Sequence, residues 1–295
     1  MTPVGNEEET AVYVYAVTRE VPEAEAAVAA LPGVLGTPVR TVSEGGLTAL
    51  AGRVPAHLFG EEALKRQLED LEQLESMARA HNAVVEAVTA RTLALPLRLA
   101  TVYLDEERVR EMLRERAEEF RELLGRLEGH LELGVKVYAD PQHRPAASEQ
   151  SGAGERAPAA RAAVSPGRAY LQQRRMQRRS REDAYRSAEQ AAAAVAAEAE
   201  LIAVDRVRHR LQQGELAAGP GQNIANDAYL VPVAQAEEFR RRVLAAGEAP
   251  GVRVEVTGPW APYSFATPPP DAAPAPAGEG PAGGAVAGAP GSGER

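Results

Sequence analysis

The chain contains no cysteine. That excludes a disulfide framework, an iron–sulfur cluster, a thiolate zinc site and a cysteine nucleophile, and it suits a reducing compartment. Histidine is sparse as well: His57, His81, His130, His143 and His209 are scattered. No two of them have the close spacing that sets two imidazoles on one helical turn, so neither a metal nor any other cofactor is expected. No apolar run reaches the roughly 18 to 20 residues of a membrane span. The first ten residues, MTPVGNEEET, are acidic and polar where a secretory signal would be basic and then apolar. A soluble, cytoplasmic protein with no membrane partner is therefore expected. Positive charge is in deficit, with 33 basic against 42 acidic residues and a net charge of −9. A protein that neutralises nucleic-acid phosphates over a broad surface would show the opposite balance.

What is present is ample material for cores: 295 residues, 44% of them hydrophobic, enough for two ordinary domains. Ala11 to Val17 (AVYVYAV) is apolar on both faces and reads as a central strand, with Val12 and Val14 on one side and Tyr13, Tyr15 and Val17 on the other. A short alanine-rich helix, Pro22 to Ala30, precedes two strands, Val39 to Ser43 and Leu47 to Arg53, joined by Glu44-Gly45-Gly46. Glycines there accept the positive φ of a tight hairpin turn. The organising stretch is Leu64 to Tyr103. Its stripe of Leu64, Leu68, Leu71, Leu74, Ala78, Val85 and Val88 predicts one long amphipathic helix feeding into the strand ALPLRLATVY at Pro96. A second helix begins at Asp105, a capping residue, and buries Val109, Leu113, Ala117, Phe120, Leu124 and Leu127.

From Leu131 the predicted order is strand, helix, strand, strand, helix, strand. The elements are Leu131 to Asp140, Gly167 to Val204, Arg206 to Gln212, Ile224 to Val233, Gln235 to Ala246 and a strand carrying Val252, Val254 and Val256. This is the βαββαβ arrangement called ferredoxin-like, a topological label that implies no cluster. The expected class is α+β, with an N-terminal α+β domain at 11–130 and a ferredoxin-like domain at 131–265. Residues 141–165 read as a mobile insertion, and the Pro/Ala/Gly-rich residues 266–295 as a disordered tail.

Three groups of residues invite a functional reading. His81, beside Asn82, sits near the helix stripe, with Arg98 on the adjoining strand; as an active-site pair they would need a cleft and an orienting group. No nucleophile elbow, phosphate loop or paired carboxylates accompany them, which favours a structural or interface role. Arg174, Arg175, Arg178 and Arg179 stack at four-residue spacing on the long arginine-rich helix. They form either a solvated face balanced by Glu182 and Asp183 or a dock for an acidic protein surface. Nucleic acid is disfavoured, because only Tyr170 and Tyr185 interleave with them. Finally, the segment GPWAPYSF, Gly258 to Phe265, gathers the one tryptophan with Tyr263 and Phe265. It lies back on the core or binds a partner.

These residues also carry a resemblance. MARAHNAVVEAV, ALPLRLATVY, ELGVKVYAD, GRAYL, NDAYLVP and GPWAPYSF, in this order, resemble the gas vesicle accessory proteins GvpF and GvpL over roughly Tyr13 to Phe265. Leu99-Ala100 replaces the Phe-Gly usual after the PLR arginine, and Ala261 stands where proline is common. The resemblance implies the two-domain fold just read and a non-enzymatic part in building gas vesicles, through contact with the small hydrophobic shell protein and other accessory proteins. Partner-binding candidates are then Arg98, Arg174, Arg175, Arg178, Arg179, Trp260 and Tyr263. The alternative is an enzyme or small-ligand sensor using the ferredoxin-like domain, with His81, Arg98 or His209 lining a pocket. An RNA-binding module using the arginine stripe is a third reading.

Overall fold

The computed structural model describes residues 9–29, 31–142, 166–212 and 221–266, the side chains of residues 166–169 excepted. Most of the expected insertion and all of the expected tail beyond Ala266 lie outside the described residues, as does His143.

Strand β1 (Thr10–Arg19) is central in the first sheet, as its two apolar faces predict. It pairs antiparallel with β3 (Leu47–Pro55) on one side and with β4 (Ala94–Pro96) and β5 (Val102–Tyr103) on the other, while β2 (Val39–Glu44) closes the edge. The β2–β3 turn uses Gly45 and Gly46 at φ +59° and +78°, the conformations that only glycine adopts without strain. One face of the sheet, with Tyr13 and Tyr15, packs under α1 (Pro22–Val28) and α4 (Leu71–Thr89). The opposite face, with Val12 and Val14, packs on α5 (Glu106–Glu115) and α6 (Ala117–Leu127). Val17 joins Val12 and Val14 and not the tyrosines. A register shift between Val14 and Ala16 inserts one residue and reverses the alternation beyond it.

The long helix expected from Leu64 is in fact two. A short helix, α2 (Ala56–Phe59), precedes α3 (Glu61–Glu69), which stops at Asp70, whose side chain accepts hydrogen bonds from the amides of Glu72 and Gln73 and so caps α4. The predicted stripe holds in the C-terminal half of α4, where Val85 and Val88 are buried together with Met77, His81 and Val84, and fails around the break, where Leu68 is 37% and Leu71 80% exposed. The strand ALPLRLATVY is likewise interrupted: β4 ends at Pro96, and Arg98 to Thr101 form a turn before β5, with Ala100 at φ +64°. The helix begun by Asp105, which accepts from the Arg108 amide, also divides at Arg116, yet its predicted apolar line faces the sheet on both parts.

The second sheet runs in the order β7 (Asp205–Arg208), β8 (Gln222–Pro232), β6 (His130–Ala139), β9 (Val252–Trp260). That is the ferredoxin-like order read from the sequence. Leu133, Val135 and Val137 of β6 share a core with Ala188, Ala191, Val195 and Ala199 of α7 (Pro166–Glu200) and with Phe239 and Val243 of α8 (Ala236–Ala246). The other face of this sheet contributes Ala228 and Leu230 to the core of α5 and α6. The molecule is thus layered helix, sheet, helix, sheet, helix, and its middle layer is shared.

Candidate functional site

The residues that leave β9 build a connected side-chain cluster. Gly258, at φ +103° and preceding a cis Pro259, lies so close to the Glu132 carbonyl that a Cβ would come within 2.9 Å of it. The chain then runs as a strap from the second sheet to the first unit. Tyr263 donates its hydroxyl to Asn82 Oδ1 at 2.8 Å, and its ring centroid lies 6.4 Å from that of His81. Partial burial pushes the Tyr263 hydroxyl up to about 12, so it stays a donor at neutral pH. Phe265 is fully buried in the central core.

Between them Ser264 is held at three points. Its amide donates to Glu132 Oε2 at 3.0 Å, its hydroxyl donates to Glu132 Oε1 at 2.7 Å, and His209 Nε2 lies 3.0 Å from the same hydroxyl. With the hydroxyl proton given to the carboxylate, His209 is the donor in the third contact. Burial raises the Glu132 carboxyl above its usual range, while the two Ser264 donors and the His209 charge pull it back. Serine, histidine and glutamate meet here, but both partners bind the same hydroxyl, and the carboxylate does not orient the imidazole. The arrangement fastens the strap and does not form a nucleophile with its base.

His81 lies under the strap. Ala100 N–H donates to Tyr13 Oη at 2.9 Å, which leaves the Tyr13 proton for His81 Nδ1 at 3.0 Å. Burial lowers the imidazole to about 4, against the opposing pull of the Leu97 carbonyl, and burial raises the Tyr13 hydroxyl. His81 is therefore a neutral acceptor inside an aromatic cluster with Tyr13, Tyr15 and Tyr263.

Beside the strap a cleft of about 710 Å³ opens between the two sheets, walled by Glu86, Leu93, Glu128, His130, Pro259 and Trp260 among others. Trp260 is 52% exposed on its rim, with its indole N–H donated to Thr257 Oγ1. None of His81, Arg98 and His209 lines it. Arg98 is exposed in the turn after β4, with its carbonyl accepting from Thr101.

Tyr263 lies against His81, which in turn lies near the Leu97 backbone that precedes Arg98, and Trp260 stands three residues before Tyr263 on the strap. The arginine stripe is elsewhere. Ala184 of α7 lies against Gly251 at the Ala139 end of β6, whereas Trp260 pairs with Glu132 at its start. Seven strand residues, roughly 23 Å, separate those ends. Arg174, Arg175, Arg178 and Arg179 precede Ala184 and are all exposed on the part of α7 that runs on past the sheet. Arg178 pairs with Glu182, and Arg174 meets the Tyr170 hydroxyl. Glu132 and Ser264 were not singled out from the sequence: a glutamate in an alternating strand and a serine between aromatics carry no local mark.

Among the described residues, no group of three or more His, Asp and Glu is placed to hold a metal ion, and no helix is long and apolar enough to cross a membrane. In fold the chain is similar to the crystal structures of the gas vesicle protein GvpF from Anabaena sp. PCC7120 and from Microcystis aeruginosa. The first has a TM-score of 0.58 at 20% identity and covers 88% of this chain and 96% of that one. The second has a TM-score of 0.56 at 21% identity, covering 87% and 99%. In sequence it is 44% identical to gas vesicle protein L of Streptomyces sp. (strain CB03234) over 258 residues, 86% of this chain and 92% of that protein. The family model for gas vesicle synthesis protein GvpL/GvpF matches residues 11–267, which takes in every element described above but for Thr10 at the start of β1, and the chain belongs to that family.

Proposed function

We propose that this protein is a non-enzymatic accessory factor of gas vesicle assembly, or a minor structural component, that acts in the cytoplasm by binding the small hydrophobic shell protein and other accessory proteins. The observation that carries the reading is the family match over residues 11–267. A shell subunit with an apolar face aggregates unless an escort covers it, and an escort with a net charge of −9 keeps the pair in solution. The half-exposed Trp260, set on the rim of the cleft among Pro259, Ala261 and Pro262, has the rigid aromatic character of an interface anchor. Tyr263, three residues along the strap, and Arg98, in the turn next to Leu97, serve as secondary contacts. Residues 11–130 and 131–265 act as two units clasped by the strap, with the cleft between them.

Co-expression with the shell protein, followed by pull-down and sedimentation, tests this. The expected outcome is co-purification and a larger soluble shell-protein fraction, both reduced by Trp260→Ala; no association would reject it. The cleft volume, within the roughly 300–1,000 Å³ of small-molecule sites, supports a second reading as a small-ligand sensor. A Trp260→Ala chain that loses a ligand while retaining the shell protein would favour that reading.

A further inference from the structure

Two parts of the surface stand out as helical and unpartnered, and their charges are opposite. The first is the projecting arm of α7. Residues 170 to 181 carry five arginines and no acid. At about 100° per residue, Arg174, Arg175, Arg178 and Arg179 fall on one face with Leu171, and Glu182, paired with Arg178, and Tyr185 end that face towards the sheet. Leu171 is 57% exposed and Tyr185 40%. The line that packs on the sheet, through Ala184, Ala188 and Ala191, continues into the arm as Gln173, Gln177 and Ser180, on a different side. Arg175 and Arg179 make no ion pair with any described residue. Before Glu182 the face holds only arginine and an exposed aliphatic side chain, a composition suited to an interface, since arginine is enriched there and lysine and glutamate are depleted.

The second part is the corner between α3 and α4. No residue of α3 is buried, although its apolar and charged residues are segregated, and at the corner Leu68 and Leu71 are exposed. Residues 61 to 75 hold Glu61, Glu62, Glu69, Asp70, Glu72 and Glu75 against Lys65 and Arg66. Glu69 and Glu72 pair with no described cation.

We propose that these surfaces bind each other between copies of the chain, the basic arm of one copy docking on the acidic α3–α4 corner of the next. Leu171 then meets the exposed Leu68 and Leu71, while the arginines one and two turns further along α7 face Glu69, Asp70 and Glu72; Tyr185, about 21 Å along the helix from Leu171, stays outside the contact. Because the two surfaces differ, the contact is head to tail. It closes into a ring or extends as an open chain, and it leaves the Trp260 side free. A contact built on exposed charges is weak and salt-sensitive.

Sedimentation velocity of the full chain over a range of concentrations, in about 20 mM and about 0.5 M salt, tests this, since the Debye length shrinks several-fold between them. The expected result is a mass that grows with concentration at low salt and returns to the monomer at high salt. R175E/R179E and E69R/E72R should each weaken self-association roughly tenfold. An equimolar mixture of the two variants, or all four changes in one chain, should restore it. All four positions are solvent-facing, so unchanged thermal melts check the fold. A monomer under every condition, association that neither pair disturbs, or failure of the charge-swapped mixture to reassociate would overturn the proposal. So would an arm that binds RNA or an unrelated acidic protein while never binding a second copy.

Discussion

Ala100 adopts φ +64°, a left-handed conformation in which Cβ crowds the following carbonyl, and it does so to aim its amide at Tyr13 Oη. The family resemblance places glycine here, and the backbone gives the reason. Ala100→Gly should stabilise the protein by about 0.5–1 kcal/mol, the relieved strain being partly offset by glycine's freedom in the unfolded chain, as urea midpoints would register. His81 makes a different prediction. Its folded value is lowered to about 4, so between there and 6.5 the unfolded chain takes up a proton that the folded one refuses. The stability it confers is complete above pH 6.5 and is lost as the pH falls towards 4, by up to about 3 kcal/mol. Denaturation midpoints measured between pH 7.5 and 4.5 should show this slope. His81→Gln keeps an acceptor for Tyr13 but has no proton to take up, and it should flatten the curve in that window.

The strap is held at three points, of which Phe265 is the buried anchor, while Trp260 projects towards solvent. Phe265→Ala should therefore cost about 3–5 kcal/mol of stability, and Trp260→Ala less than about 1 kcal/mol while reducing shell-protein capture, a separation that thermal melts and pull-downs together would reveal. Elements of this kind were unequally legible in the sequence. Apolar alternation, the Gly45-Gly46 turn and the Asp105 cap identified strands and helix starts, because each signal is local. The break at Asp70 leaves no periodic signal, since Leu64, Leu68, Leu71 and Leu74 keep helical spacing across it and only the capping geometry shows that α4 starts anew. Val17 faces opposite to what strict alternation predicts, because a bulge is specified by the pairing strand. The cluster of Glu132, Ser264 and His209 joins residues as far as 132 positions apart, a distance that no periodicity reaches.

At the scale of the whole molecule, the shared middle layer ties the two units together. Ala228, Leu230 and Phe265 from the second unit lie in one core with Leu124 and Leu127 of α6, and Arg126 reaches Asp205 across the boundary at 3.2 Å. Burial of apolar surface on both sides makes each unit the solvent shield of the other. If residues 1–129 and 130–295 are produced separately, each should expose its half of that core and bind a hydrophobic dye. Mixing should extinguish the dye signal as the complex forms. Phe265→Ala in the second fragment should weaken reassociation roughly a hundredfold, as about 3 kcal/mol of lost burial requires, whereas Trp260→Ala should leave it within severalfold. Isothermal titration of one fragment into the other measures both. Equal loss from the two substitutions would mean that the strap acts as an exposed edge and not as the clasp between the units.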